Sequence, residues 1–551
     1  MYAVIAVVAV LAALIIRFRN LGMRPKDYPP GPPTIPVFGN LFQMPRSKLH
    51  EGLAKMSAQY GPIMGLKLGA MDMIVINSYT TVKDLYDKRS SIYSNRVDNY
   101  LRNFGYNLMI SNRDNDDVWR RQRKMYHTAL TSTAATRYLP YQRFESIQLL
   151  WDLLNAPYDS FDALKRYTTS TGSTITYGWR VNRADNHYVT RLFEWIESYT
   201  LVGIATQVTE FFPMLRPIVK YTPNSLNKLN KELSRLTIME RDLWLDLLRE
   251  AKSKVDRGKL NPCFAGDMLT NQDKDGLNEM EMAFNAGHAW AGASDTTFNT
   301  LHGFVKAMIL YPEVQEQAHQ ELDRVVGADR MPEWEDRNQL PYVRAIVKES
   351  LRWCPTAVLG IPHAAAKDDE YMGYKIPKGA SVVQNVGDIK PRLTKVVSLL
   401  TSSLSFQIWG INNDPVRYPN PRKFDPLRYI DDGMLSQESA AQADPALRDH
   451  FTFGSGRRIC PGMQVADRSL FMVIARMLWA FDIERVGDEV IENDAMTTGL
   501  VAGPMPYKSK CAPRDEERAK LIADSWKEAE GWLDEERNYS QAWYEKEFWK
   551  K

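Results

Sequence analysis

The hydrophobic positions divide the chain into one short apolar run, a long helical middle and a few strand-like pieces. Met1 to Ile16 is almost wholly apolar, and Arg17, Arg19, Arg24 and Lys26 follow it. A full membrane span needs about 20 apolar residues, so the run is slightly short. A cleaved secretory leader carries its positive charge before the apolar run and a small-residue cleavage site after it. Here the charge comes after, and the positive-inside rule holds the bulk of the chain on the cytosolic side. Residues 1–16 therefore read as a membrane anchor and residues 17–36 as a basic, Pro-rich hinge. A signal peptide and a helix lying loosely on the membrane are the rival readings. Within the hinge, Tyr28-Pro29-Pro30-Gly31-Pro32-Pro33 makes a stiff spacer, because proline fixes φ and cannot continue a helix.

Strand-like stretches follow at Ile63 to Leu68 and Met73 to Asn77. From about Thr80 to Trp353 the pattern is mainly helical, and strand-like pieces return between Ala357 and Val386. The longest helix candidate runs from Asn278 to Leu310 and stops before Pro312. At 1.5 Å per residue it spans about 50 Å. It is apolar on most sides, which marks a helix buried in the core. The tail after Arg514 is highly charged, with Trp526, Trp532, Trp543 and Trp549 interspersed. Residues 515–551 thus read as a charged extension, amphipathic or partly disordered. The fold class is mainly α with smaller β-sheets, in one large domain over residues 37–514.

Composition narrows this further. With 551 residues, 44% hydrophobic and 25% charged, the chain is an ordinary folded protein. A net charge of +3 gives no global signal for nucleic acid. The four cysteines (Cys263, Cys354, Cys460 and Cys511) form no C-x-x-C pair and no disulfide framework, and they fit a reducing compartment.

One cysteine has neighbours that give it chemistry. Phe453-Gly454-Ser455-Gly456-Arg457-Arg458-Ile459-Cys460-Pro461-Gly462 surrounds Cys460 with glycines, which let the backbone turn closely around a sulfur, and with basic groups that favour a thiolate. The helix-like run from Met463 to Phe481 begins just beyond, and its N-terminal dipole favours an anion. The pattern Phe-x-x-Gly-x-Arg-x-Cys-x-Gly resembles the haem loop of the cytochrome P-450 superfamily. The alternative is a glycine-rich turn holding a buried cysteine.

Other segments match that family in the same order. Glu349-Ser350-Leu351-Arg352 resembles its Glu-x-x-Arg helix, whose i, i+3 pair can be buried if a third group completes it. Pro426-Leu427-Arg428-Tyr429 offers Arg428 as that group. Trp119 and Arg123 stand one helical turn apart, and both are donors suited to a carboxylate. The resemblance makes them haem-propionate contacts. It assigns the same role to His363, which otherwise reads as an ordinary buried histidine, and to Arg458. Phe453, Gly456 and Gly462 are the remaining cofactor-binding candidates. Ala291-Gly292-Ala293-Ser294-Asp295-Thr296-Thr297 resembles the family's oxygen-activating stretch, with Asp295 and Thr296 as the catalytic pair. Ala293 stands where the family usually has glycine.

The resemblance implies the P-450 fold, a haem b with Cys460 as the axial thiolate and metal ligand, and monooxygenation of a lipophilic small molecule by dioxygen. It is similar above all to fungal microsomal members, which implies an endoplasmic reticulum membrane, a cytosolic catalytic domain and secondary metabolism. No G-x-G-x-x-G nucleotide-binding unit is present, so electrons come from a partner, by resemblance an NADPH-dependent flavin reductase. Arg120, Arg121, Lys124 and Arg457 form either its docking patch or a solvated face. Arg102 to Asn107, Ile204 to Phe212, Phe284 to Ala293, Ala357 to Ile361 and Leu500 to Ala502 are candidate substrate-lining segments.

One departure stands out. In the family, the strand ending near Asn385-Val386 leads promptly to a tryptophan and Asp-Pro. Here Trp409 and Asp414-Pro415 come only after residues 387–408. This segment reads as an insertion or an unspliced intron, or as a genuine surface loop. The alternative functions are a haem-thiolate isomerase or dehydratase, and a haem-binding protein silenced by the insertion.

Overall fold

The computed structural model describes residues 20–44, 53, 55–56, 59–257, 262–356, 360–384, 409–497 and 501–549. The anchor at 1–16 and the segment 387–408 lie outside the described residues. Among the described residues, no helix is long and apolar enough to cross a membrane.

The strands, in chain order, are β1 (Ile63–Leu68), β2 (Met71–Ile76), β3 (Asn95–Arg96), β4 (His363–Ala364), β5 (Asp369–Tyr371), β6 (Tyr374–Ile376), β7 (Ser381–Gln384), β8 (Phe481–Arg485) and β9 (Ser509–Pro513). One sheet has the order β1-β2-β7-β4-β3, and β5-β6 and β8-β9 are two-stranded ribbons. β1 and β2 form a hairpin with Leu68 opposite Met71, and β2 runs parallel to β7. β3 interrupts the stretch that reads as helical in sequence. It pairs antiparallel with β4 and sets Arg96 opposite His363.

The long helix spans Glu279–Leu310. Its start is set by a capping box: the Asn278 side chain accepts from the Glu281 amide at 2.9 Å, and Glu281 accepts from the Asn278 amide at 3.1 Å. It ends at Tyr311, before Pro312. Its neighbours approach closely. At Gly287 a Cβ would lie 2.1 Å from the Trp244 ring, so only glycine lets the helix Lys228–Asp256 pack there. The helix Met463–Ala480 is buried along its length and forms the centre of the main core with Phe304, Leu351 and Trp353.

The tail folds back onto this body. The helix Glu516–Glu530 packs against the helix Leu139–Asn155. Trp526, Tyr539, Trp543 and Tyr544 are buried with Tyr138, Tyr141 and Phe144. The apolar positions Ile522, Trp526 and Ala529 recur at helical spacing, so the charges sit on the opposite face.

Candidate functional site

Cys460 lies between a turn and a helix start. Its amide donates to the Phe453 carbonyl at 2.9 Å, closing the loop on itself. Gly456 sits at φ 65° inside the 3-10 turn Gly456–Arg458, and a Cβ there would lie 2.0 Å from the Tyr86 carbonyl oxygen. Conformation and close approach both require glycine at this position. Gly462 is the N-cap of the helix Met463–Ala480 and brings no capping side chain. Burial pushes the Cys460 thiol up, while the Gly462 amide and the Arg123 charge pull it back toward the thiolate. Cys263, Cys354 and Cys511 are buried away from the site, and burial pushes Cys263 and Cys511 up to about 12.

Cys460 opens on a cavity of about 950 Å³. Arg96, Arg123 and Arg458 line it too. Arg458 donates to the carbonyls of Ser94 (2.9 Å), Ile110 (3.1 Å) and Arg113 (2.7 Å), and lies 4.1 Å over the Trp119 ring. Arg96 donates to the carbonyls of Ser111 and Ile361, both at 2.6 Å. Arg123 donates to the Ile459 carbonyl, next to Cys460. Among the described residues none of the three is in an ion pair. The nearby acids are engaged elsewhere: Asp114 with Arg102 at 3.2 Å, and Asp116 with Arg113 at 2.7 Å. Burial, then the mutual repulsion of Arg96 and Arg458, presses Arg458 down to about 8. Arg96 escaped the sequence analysis, because its place in the site depends on the long-range pairing of β3 with β4.

Two expected contacts differ in detail. The Trp119 indole N–H donates to the Ile110 carbonyl at 3.2 Å, so the Trp119 face, carrying Arg458, is its main contribution. His363 Nδ1 stands 2.6 Å from the Tyr93 carbonyl, and the ring stacks on Tyr86 at 4.0 Å. Burial and the Arg96 charge hold His363 well below the usual histidine range, so the ring is neutral with its proton on Nδ1. For Nε2 to donate to a carboxylate the ring needs a second proton, which the charge of that carboxylate favours.

The long helix forms the opposite wall. Ala291, Gly292, Ala293, Asp295, Thr296 and Thr297 line the cavity there. Thr296 Oγ1 donates to the Gly292 carbonyl at 2.6 Å, and Asp295 Oδ1 accepts from Asn299 Nδ2 at 2.9 Å. Asp295 and Thr296 thus share the cavity without bonding each other. Burial pushes the Asp295 carboxyl up to about 6, against the Asn299 hydrogen bond and the Lys165 charge. Lys165, from the helix Ser160–Tyr177, also lines the cavity, a neighbour no sequence spacing announces.

Behind the loop, Glu349 and Arg352 form a bidentate pair with both bonds at 2.7 Å and both side chains fully buried. Arg428 Nε stands 3.5 Å from Glu349, and the Asp425 amide donates to it at 2.9 Å. Of the expected lining segments, Ile204, His288 to Ala289, Ala291 to Ala293, Gly360 to Ile361 and Val501 reach the cavity. Arg102 to Asn107 does not, and Met109, Ile110 and Ser111 take its place. The basic face is largely paired: Arg120 with Asp117, Arg121 with Glu281 and Lys124 with Asp275. Arg457 is exposed.

A thiol and three cations, Arg96 buried and Arg123 and Arg458 half-buried, lining one cavity make a donor set that fits an iron porphyrin with two carboxylates. Comparison with known proteins agrees. The cytochrome P-450 family model matches residues 29–392 and 402–511, and its break at 393–401 falls inside the 387–408 segment. The cytochrome P-450 monooxygenase virE of Hypocrea virens is 37% identical over 96% of this chain and 93% of its own length. The cytochrome P-450 monooxygenase fsoB of Humicola fuscoatra is 38% identical over 96% of this chain and 94% of its own. A zebra fish cytochrome P-450 solved with progesterone superposes with a TM-score of 0.66 at 22% identity, over 84% of this chain and 99% of that one, and shares the fold. Family members bind haem through a cysteine thiolate and use dioxygen, a lipophilic substrate and a redox partner. The chain belongs to the cytochrome P-450 family and is a monooxygenase.

Proposed function

We propose that the Cys460 thiolate is the axial ligand of haem b, and that Arg96, Arg123 and Arg458, with Trp119 and His363, hold its propionates. The observation that carries this is the meeting, in one cavity, of Cys460 with three guanidiniums that form no ion pair among the described residues. Buried charge of one sign without a counter-charge is costly, and two propionates supply the missing anions. Bound there, the haem supplies dioxygen activation, with the thiolate donating electron density.

The chain's own residues manage protons and access. Asp295, held near pH 6, is poised to gain and lose a proton at working pH, as a general acid requires. Thr296 can turn its hydroxyl from the Gly292 carbonyl into the cavity and pass that proton on. Phe453, beside the loop, shields the sulfur from water. This acid argues against an isomerase or dehydratase, which needs no delivered protons from a reductase-driven cycle.

The electron donor is an NADPH-dependent flavin reductase, which docks on the loop side where Arg457 is exposed. Met1–Ile16 anchors the chain in the endoplasmic reticulum membrane with the catalytic body in the cytosol, because the basic residues follow the apolar run. The product belongs to secondary metabolism, a reading supported by the fungal origin of the similar monooxygenases. Residues 387–408 are an insertion or an unspliced intron, a reading supported by the break in the family match, and sequencing the mature transcript decides between the two.

The decisive experiment is the reduced, carbon monoxide-bound difference spectrum. A Soret band in the red-shifted thiolate position is expected, and Cys460→Ser removes it. A histidine-like band in the unaltered chain overturns the assignment.

A further inference from the structure

We propose that Trp195 and His288 together recognise a hydroxyl group of the substrate, at the end of the cavity away from Thr296. The inference rests on the monooxygenase reading and adds a substrate class to it.

His288, Gly292 and Thr296 recur every four residues on the long helix and line the same cavity, so they share one face. His288 lies eight residues before Thr296, roughly 12 Å along the helix axis. Its Nε2 stands 3.1 Å from Glu240 Oε1, on the helix Lys228–Asp256, and its side chain is only 5% exposed. A carboxylate accepts, so Nε2 carries the proton given to Glu240, and in that tautomer Nδ1 keeps its lone pair. That Nδ1 is buried and has no hydrogen-bond partner among the described residues.

Trp195, on the helix His187–Phe211, supplies the complement. Its indole N–H is also buried without a partner, it lines the cavity, and its ring is 5.7 Å from His288. Phe284 and Trp244 close the other sides of His288, at 5.7 and 5.8 Å, and neither lines the cavity. One fixed acceptor beside one fixed donor matches an O–H, which gives one hydrogen bond and takes another. A ketone or ether leaves His288 unmet. A carboxylate would stand against Glu240.

The substrate is therefore a lipophilic molecule carrying a hydroxyl at one end, oxidised at a carbon remote from it. Glu240 acts as a positioning residue by setting the His288 tautomer.

The test uses the holoenzyme and a matched pair of probes, dodecan-1-ol and its methyl ether, with affinities from titration calorimetry. The unaltered enzyme is expected to prefer the alcohol by about 10- to 100-fold, the cost of leaving the one buried acceptor unpaired. His288→Phe should bring the ratio close to one without weakening the ether, whereas Trp195→Phe should weaken both probes, because each accepts from the indole N–H, and leave the ratio in place. A ratio near one in the unaltered enzyme overturns the proposal, as does a preference that survives His288→Phe or probe affinities that Trp195→Phe leaves unchanged. The carbon monoxide spectrum of the same samples keeps the readings apart: a missing thiolate band with the alcohol preference intact supports this inference and overturns the haem assignment alone.

Discussion

Two clusters of buried charge flank the thiolate loop, and they are built on opposite principles. Behind it, Glu349 is saturated: Arg352 grips it at 2.7 Å twice, the Asp425 amide donates to it, and Arg428 stands 3.5 Å away. Arg352 and Arg428 turn their other donors to the carbonyls of Asn412, Pro421 and Pro419. In front of the loop, Arg96, Arg123 and Arg458 share one cavity, and among the described residues their guanidiniums donate only to backbone carbonyls. The first cluster finds its counter-charge within the chain. The second is complete only with an anion from outside. Burial of charge alone does not mark a binding site; burial without a partner does.

The clearest way to break this contrast is to open the first cluster. Glu349→Gln leaves Arg352 and Arg428 buried without a carboxylate, and about 3–5 kcal/mol of stability should be lost, whether or not haem is bound. Denaturant unfolding of both forms checks it. Next in size is the second cluster, with the opposite pattern. Arg458→Gln removes a cation repelled by Arg96 and Arg123 together with its donors to the Ser94, Ile110 and Arg113 carbonyls, so the haem-free protein should lose much less stability than Glu349→Gln costs it. Haem retention should fall by about 1.5–3 kcal/mol, the worth of a hydrogen bond to a charged group, as read from haem transfer to an acceptor protein. Equal destabilisation of the haem-free protein by the two substitutions would dissolve the contrast.

How much of this was legible in the sequence follows from how local each contact is. Glu349 and Arg352 lie one helical turn apart, and the Cys460 loop is a single continuous turn, so spacing alone exposes both. The long helix carries its start signal at Asn278 and Glu281 and its stop at Pro312. Arg96 is invisible to such reading, because a two-residue strand in a helical stretch becomes meaningful only when β4 arrives from the far side of the chain. The cationic face at Arg120, Arg121 and Lys124 reads as unpaired charge for the same reason: Glu281 and Asp275, which pair with two of these cations, are distant in sequence. The tail after Arg514 reads as a charged appendage because its partners, Tyr138, Tyr141 and Phe144, lie several hundred residues earlier.

Asp295 carries the contrast to the other wall of the cavity with the sign of charge reversed. Its carboxyl sits near 6, above the value of about 3.9 expected in an unfolded chain. The folded protein therefore binds the proton more tightly than the unfolded one, and stability should fall as pH rises through roughly 4 to 6 and stay lower above that. Asp295→Asn removes the penalty. Allowing for the carboxyl's access to the cavity, the variant should be more stable by about 1–2 kcal/mol above pH 6, with a flatter profile below it. Turnover should fall at the same time, because the amide cannot deliver a proton. A variant that is less stable and keeps its turnover would make Asp295 a structural residue.

The smallest effect sharpens the first cluster from within. Arg428 is 11% exposed and meets Glu349 only at 3.5 Å, whereas Arg352 meets it twice at 2.7 Å. Arg428→Gln leaves the bidentate pair and the Asp425 amide in place, and glutamine can still donate toward the Pro419 carbonyl. The expected cost is about 0.5–1.5 kcal/mol, that of one ordinary hydrogen bond. A double-mutant cycle with Glu349→Gln tells whether the lock is a pair or a triad. Near-additive costs would make Arg428 a strut for the segment Pro419–Tyr429. A coupling of several kcal/mol would make it the third charge without which Glu349 cannot stay buried.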